Sequence, residues 1–137
     1  MVATLNREDE AYRAIEMGEL AIDFEGRIWR VAARRWDRWT QQTRSIPCEA
    51  RRAEKSAGEY LQVRVMIDGV RAHALAHRMV WRHFFGQIPP GMLVNHRNGA
   101  KTDNRPANLE LVTPSENTTH AIAVLGYRPQ LNLPSPG

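Results

Sequence analysis

Residues 92–125 set the tightest limit on what this chain can fold into. Met92-Leu93-Val94 and Leu109-Glu110-Leu111-Val112 are apolar runs too short for helices, and each reads as a strand. The polar stretch 97–108 between them carries the turn signals Asn98-Gly99 and Arg105-Pro106. Thr113-Pro114-Ser115-Glu116 then opens a helix, with Thr113 as N-cap, Pro114 at the first helical position and Glu116 closing a capping box. That helix should run to about Leu125 and stop at Gly126. A strand, loop, strand and helix of this size can gather the residues at their joints around one small concavity.

The preceding segments read less evenly. Residues 6–17 form a helix, with Asn6 as N-cap, Glu8, Asp9 and Glu10 in the first turn, Tyr12 and Ile15 as its apolar edge, and Gly18 as its stop. Residues 20–24 and 27–31 make a small hairpin around Glu25-Gly26. Residues 34–58 show no period and read as a long loop or partly ordered excursion. From Tyr60, apolar Leu61, Val63, Val65 and Ile67 alternate along a half-buried strand, Asp68-Gly69 turns it back, and 75–85 switch to helical spacing. Gly86 and Pro89-Pro90 end that helix, in which Trp81 and Phe84, with Phe85, read as core.

Charge adds a partner class. The net charge is +4, but residues 1–25 hold seven acids and two bases, whereas 27–55 hold nine bases and three acids. Arginine outnumbers lysine 17 to 2, and its planar fork suits phosphate oxygens. A polyanion partner fits this bias, as does a high-GC coding sequence. The Arg-rich stretch 27–55, with Trp29, Trp36 and Trp39, reads either as a DNA-backbone contact or as a solvated basic face. No run reaches the ~18 apolar residues needed to cross a bilayer. The single cysteine, Cys48, excludes an internal disulfide framework and a CxxC zinc knuckle. A soluble, cytoplasmic protein is expected.

The joints of 92–125 hold Asn95, His96, Asn108 and Asn117. Those residue types suit phosphodiester hydrolysis, which needs a base for water and a hard cation for charge on the phosphate and leaving oxygens. Neutral histidine titrates near the working pH, and amide oxygens suit Mg2+. His96 as a simple turn cap is the alternative. His77 reads as a structural histidine rather than a ligand, and Asn104 as a residue that locks the loop.

These motifs resemble a known family. Val94-Asn95-His96-Arg97-Asn98-Gly99, Lys101-Thr102-Asp103-Asn104-Arg105-Pro106-Ala107-Asn108-Leu109-Glu110 and Ser115-Glu116-Asn117 look like the HNH endonucleases, in the variety found in phages and homing enzymes. Ala76-His77-Arg78-Met79-Val80-Trp81, with Gly86 and Pro89-Pro90-Gly91, is similar to the helix preceding that family's motif. The resemblance covers roughly 58–125, and residues 1–57 match the core motif nowhere.

The resemblance implies an α+β fold: an N-terminal helix and small β region, then a ββα-metal finger holding one divalent ion. By position, His96 would be the general base, Asn108 the residue that holds it by hydrogen bonding, and Asn95 and Asn117 the metal ligands. His120, one turn past Asn117, would face phosphate, with Lys101, Arg105 and Arg78 as further candidates for nucleic acid. Asn95 departs from the family, many of whose members have Asp there, so the DNA phosphate is expected to complete the metal site. No structural zinc is implied.

The expected function is Mg2+-dependent cleavage of DNA, with Mn2+ able to substitute, leaving 5′-phosphate and 3′-hydroxyl ends. The protein would act as a monomer or weak dimer in a bacterial cell, with a phage or prophage source. Two other classes stay open: an HNH-fold DNA-binding module that no longer cleaves, and a nuclease or toxin directed at RNA. Three parts are expected: 1–57 as a possible DNA-contacting segment, 58–126 as the nuclease domain, and 127–137 as a flexible tail.

Overall fold

The computed structural model describes residues 7–67 and 69–116. Asn6, Asp68, the part of the expected helix beyond Glu116 and the tail 127–137 lie outside the described residues. The order is α1 (Arg7–Glu16), β1 (Leu20–Ile22), β2 (Ile28–Asp37), β3 (Gln42–Arg52), β4 (Lys55–Ala57), β5 (Tyr60–Ile67), β6 (Val70–Leu75), α2 (Ala76–Phe85), β7 (Leu93–His96), a 3-10 turn (Pro106–Asn108) and β8 (Leu109–Val112). The strands form three antiparallel sheets, β1-β2-β3, β4-β5-β6 and β7-β8. This is the α+β class the sequence predicts, with a far larger first sheet.

The core is assembled from small pieces of each sheet. Val63, Val65 and Ile67 alternate inward along β5, and Ala72 and Ala74 do the same on β6. α1 lies on these strands through Ala11 and Ala14, both fully buried. The expected edge of Tyr12 and Ile15 is displaced to the flanks, because alanine lets the helix axis approach the sheet closely. Tyr12 instead lies under the Arg82 guanidinium at 4.3 Å. Gly18, at φ 79°, ends α1 in a conformation costly for other residues. One apolar cluster therefore joins Ala11, Ala14, Leu20 and Ile28 to Val63, Met79, Val80, Val94 and Leu109, across both sides of residue 57.

Residues 34–58 correct the expectation of a loop. β2 and β3 form a long hairpin, with a register shift between Arg30 and Ala32. β2 buries Ile28 and Ala32 at its base, and every residue of β3 is exposed. Where neither face of a ribbon is buried, no alternation of apolar residues is required, so periodicity cannot reveal it. Backbone pairing carries the outer part from Ala33↔Ile46 to Asp37↔Gln42, with an ion pair between Arg44 and Asp37 at 3.0 Å across the strands. Trp36 and Trp39 near the tip are 65% and 91% exposed.

Two hairpin turns match the sequence closely. Ile67 pairs with Val70 around Gly69 at φ 77°. At the first turn, Asp23 Oδ1 accepts from the backbone N–H groups of Glu25 and Arg27, and its Oδ2 accepts from Trp29 Nε1. α2 packs on β5, β6 and β7 and so carries the core to the last sheet. Among the described residues no helix is long and apolar enough to cross a membrane.

Candidate active site

β7 and β8 place the two residues that matter most. Asn95 stands opposite Glu110 and His96 opposite Leu109. Since neighbours on a strand point to opposite faces, His96 turns into the protein, 4% exposed, while Asn95 stays half-buried. Asn95 Nδ2 donates to Glu110 Oε1 at 2.9 Å, which orients its amide. Glu110 Oε2 also lies 3.3 Å from Arg97 Nη1.

His96 Nε2 lies 2.8 Å from Asn104 Oδ1. With that oxygen as acceptor, Nε2 carries the ring proton and Nδ1 keeps a lone pair. Burial lowers the His96 pKa, against the opposing effect of the Asn104 hydrogen bond, so the ring is neutral near pH 7. Its ring centroid is 4.8 Å from that of His77 in an edge-on contact, and 6.2 Å from that of Tyr60. His77 is 5% exposed, and burial, then His96 and Arg78, push its pKa down to about 3. The expected structural histidine thus packs directly on the candidate base.

The roles expected of Asn104 and Asn108 are exchanged in the geometry. Asn108, expected to hold His96 by hydrogen bonding, instead locks the loop. Its Nδ2 donates to Asn98 Oδ1 and to the Asp103 carbonyl, its Oδ1 accepts from the Asn98 N–H, and its carbonyl accepts from the Arg97 N–H. Asn104 is the side chain that reaches the ring. Position in the loop decides this, because the curled path of 98–103 brings Asn104 back under His96. Asp103 fixes that path through a two-point pair with Arg105 and a bond from Asn98 Nδ2. The Arg105 bonds, aided by Asn98, hold the Asp103 carboxyl well below the usual carboxylate range.

The loop also leans on the first hairpin. Gly26 is buried at φ 75°, and a Cβ there would stand 1.9 Å from the Asn104 carbonyl oxygen. Only glycine lets that turn approach the residue that meets His96. No spacing in the sequence points to this contact. The Asn95–Glu110 pair, in contrast, follows once the two short strands are aligned.

The other predicted site residues are spread out. Lys101 Nζ pairs with Glu59 at 2.5 Å and lies over the Tyr60 ring at 5.1 Å. Arg105 is held by Asp103 beside the loop. Arg78, expected near nucleic acid, is half-buried and paired with Glu8 of α1 at 2.6 Å, so it ties two helices together. Asn117 and His120 lie outside the described residues. Thr113 and Glu116 do form the expected capping box: the Glu116 N–H donates to Thr113 Oγ1, and the Thr113 N–H to Glu116 Oε2. Residues 114–116 are helical, so β7, β8 and a capped helix start follow in the predicted order.

Residues 74–119 match the family model described as HNH endonuclease. That segment is similar to HNH endonucleases. The chain is similar, at 52% identity over 50 residues, to a Bacillus subtilis (strain 168) protein named as an SPbeta prophage-derived putative HNH homing endonuclease. It is also 50% identical over 48 residues to an uncharacterized HNH endonuclease of Acanthamoeba polyphaga mimivirus. These matches span 36% and 34% of this chain, but only 29% and 12% of the two relatives. The fold is similar to that of the HNH homing endonuclease I-HmuI, in a structure concerned with DNA binding and cleavage. The TM-score is 0.54 at 17% identity, over 81% of this chain and 56% of that one. The structural likeness extends well beyond the HNH segment into the N-terminal half.

What the HNH segment could hold follows from its donors. Among the described residues no group of three His, Cys, Asp or Glu is placed to hold a metal ion. Among the described residues, the Asn95 amide donates its NH2 to Glu110, and its oxygen is of the type that could serve a cation. A hard oxygen of this kind fits Mg2+, which binds few protein groups and keeps several waters.

Proposed function

We propose that this chain is a metal-dependent endonuclease hydrolysing phosphodiester bonds of DNA, with His96 as general base. One arrangement carries the reading: His96 Nε2 is occupied by Asn104, and Asn95, next to it on β7, has its amide turned by Glu110. Chemistry is assigned to 58–126, with 1–57 contributing to DNA contact and 127–137 as a tail.

In this mechanism His96 Nδ1 takes a proton from water as the water oxygen bonds to phosphorus. The P–O3′ bond breaks, leaving a 5′-phosphate, and the departing oxygen takes a proton from solvent to become the 3′-hydroxyl. Proton transfer by such a base is worth about 10²–10⁴-fold in rate. When bound, a divalent ion neutralises charge on the phosphate and the departing oxygen. Asn95 and Asn117 are the residues assigned to hold Mg2+, or Mn2+ in its place. Asn108 keeps the loop closed so that Asn104 can orient the ring. Lys101, Arg105 and His120 are assigned to phosphates flanking the cleaved bond.

One finger cuts one strand at a time, which suits a monomer or weak dimer that nicks. The prophage derivation in a relative's name supports a phage or prophage setting inside a bacterial cell. The test is cleavage of supercoiled plasmid with Mg2+ or Mn2+, beside EDTA and His96→Ala controls. Metal-dependent nicking that vanishes in the variant is the expected result. An intact but retarded plasmid in every metal would favour a DNA-binding module, for which the neutral Asn95 is the structural reason.

A further inference from the structure

Asn104 holds the His96 ring at a single point, Nε2 to Oδ1 at 2.8 Å, and one hydrogen bond leaves a ring free to swing about it. The last torsion of a histidine side chain is broad and soft, unlike the staggered torsion nearer the backbone. A base that must present Nδ1 to a water therefore needs a second restraint on its ring plane.

The second restraint is aromatic. The His77 ring, from the first turn of α2, meets His96 edge-on with centroids 4.8 Å apart. Tyr60, the first residue of β5, lies 5.3 Å from His77 and 6.2 Å from His96, so three rings close a triangle. Rings attract at centroid separations of about 4.5–7 Å. Lys101 Nζ lies over the Tyr60 ring at 5.1 Å and pairs with Glu59, which ties that ring to the loop. Tyr60 precedes residues 74–119, so the triangle reaches outside the segment that matches the family model.

Core packing alone does not account for a histidine at 77. Its neighbours on α2, Ala76, Met79 and Val80, are buried and apolar, and among the described residues its Nδ1 has no hydrogen-bond partner. A buried nitrogen left unpaired loses its hydration uncompensated, a loss that an aliphatic side chain would avoid. A flat ring offers what an aliphatic side chain lacks, a face and an edge that hold a neighbouring ring in one plane. Burial also holds the His77 pKa at about 3, so its ring does not compete with His96 for a proton.

We propose that His77, backed by Tyr60, is a positioning residue for the cleavage step: the two rings form a shelf that fixes the plane of His96, so that Nδ1 stays turned to the attacking water. The proposal rests on the reading of His96 as general base. In this role His77 touches neither substrate nor metal and acts through His96 alone.

The test is plasmid nicking in Mg2+ by the full chain, with kcat and KM measured separately. His77→Leu should lower kcat about 10- to 100-fold, because a misplacement of about 1 Å costs up to that much, and should leave KM within about twofold. His77→Phe keeps a ring without its nitrogens and should hold kcat within about fivefold of wild type. His83→Leu, at an exposed position on the same helix, should leave both constants unchanged. In NMR spectra the His96 ring protons should lose their ring-current displacement in His77→Leu and keep it in His77→Phe.

If His77→Leu does not melt cooperatively, Tyr60→Leu is compared with Tyr60→Phe, and the leucine variant should have a kcat about 3- to 10-fold lower. Equal kcat in that pair overturns the proposal, as does a folded His77→Leu with wild-type kcat. A rise in KM at unchanged kcat also overturns it, because His77 would then serve binding. His77→Phe as slow as His77→Leu does the same, since the imidazole nitrogens would then be required. Nicking that is lost in His96→Ala but intact in His77→Leu overturns the shelf alone. His96→Ala cutting at wild-type rate, or a wild type that never cuts, overturns the base reading and the shelf with it.

Discussion

The loop between β7 and β8 and the ribbon of β2 and β3 are both held by hydrogen bonds, but of opposite kinds. In the loop, side chains do the holding: Asn98, Asp103 and Asn108 bond to one another and to the backbone between them. In the ribbon, backbone pairs with backbone from Ala33↔Ile46 outward, all of β3 is exposed, and the side-chain ties are few, chiefly Arg44 with Asp37 and Arg34 with Glu19. A side-chain lock specifies one conformation and depends on each member. A ladder tolerates almost any side chain, so the ribbon's residues are available for a ligand. On the proposed reading, the chain separates a locked place for chemistry from an accommodating place for contact.

The largest effect should come from the locked region. His96→Ala should reduce plasmid nicking by about 10²–10⁴-fold, read as initial rates in Mg2+. A variant cutting at wild-type rate would remove His96 as the base. Next, Asn108→Ala should destabilise the fold by about 1–3 kcal/mol in urea melts, because the buried Asn108 amide holds the more exposed Asn98 and the Asp103 carbonyl in place. A loss below about 0.5 kcal/mol would mean that the loop needs no lock.

Gly26→Ala should cost about 1–3 kcal/mol, since it forces a side chain into positive φ and against the Asn104 carbonyl. It should also slow cleavage although residue 26 is remote from His96 in sequence. Unchanged stability and rate together would refute the contact.

His77 gives a pH-dependent prediction. Its folded pKa is pushed from the ordinary 6.5 to about 3, so below pH 6.5 the unfolded chain binds a proton that the native protein refuses. The stability due to the neutral ring is complete above pH 6.5 and is lost as pH falls toward 3. His77→Phe should flatten urea stability between pH 6.5 and 3.8, above the range in which Asp103 adds its own loss. An unaltered slope would show that His77 titrates normally. The smallest effect belongs to the ribbon: Trp39→Ala should change stability by less than about 0.5 kcal/mol. A larger loss would mean that the tip is packed, and the contrast with the loop would fail.

The same contrast explains what the sequence disclosed. Thr113 and Glu116 announce a helix start because capping is a local interaction between residues three apart. Alternation along Tyr60–Ile67 announces β5 because one face is buried. The ribbon has no buried face in its outer half, so Arg34-Arg35-Trp36-Asp37 offers no period to read. Asn104 and Asn108 could not be told apart in role, since two asparagines in one polar loop differ only in where the folded path carries them.

Gly26 also determines where this protein can be divided. A fragment starting at residue 58 would keep β7, β8 and His96, yet it would lose the turn on which the Asn104 carbonyl rests. Grafting the finger into another scaffold would therefore require a substitute for that turn. Two separately expressed halves would have to dock at Gly26 before His96 regained its partner.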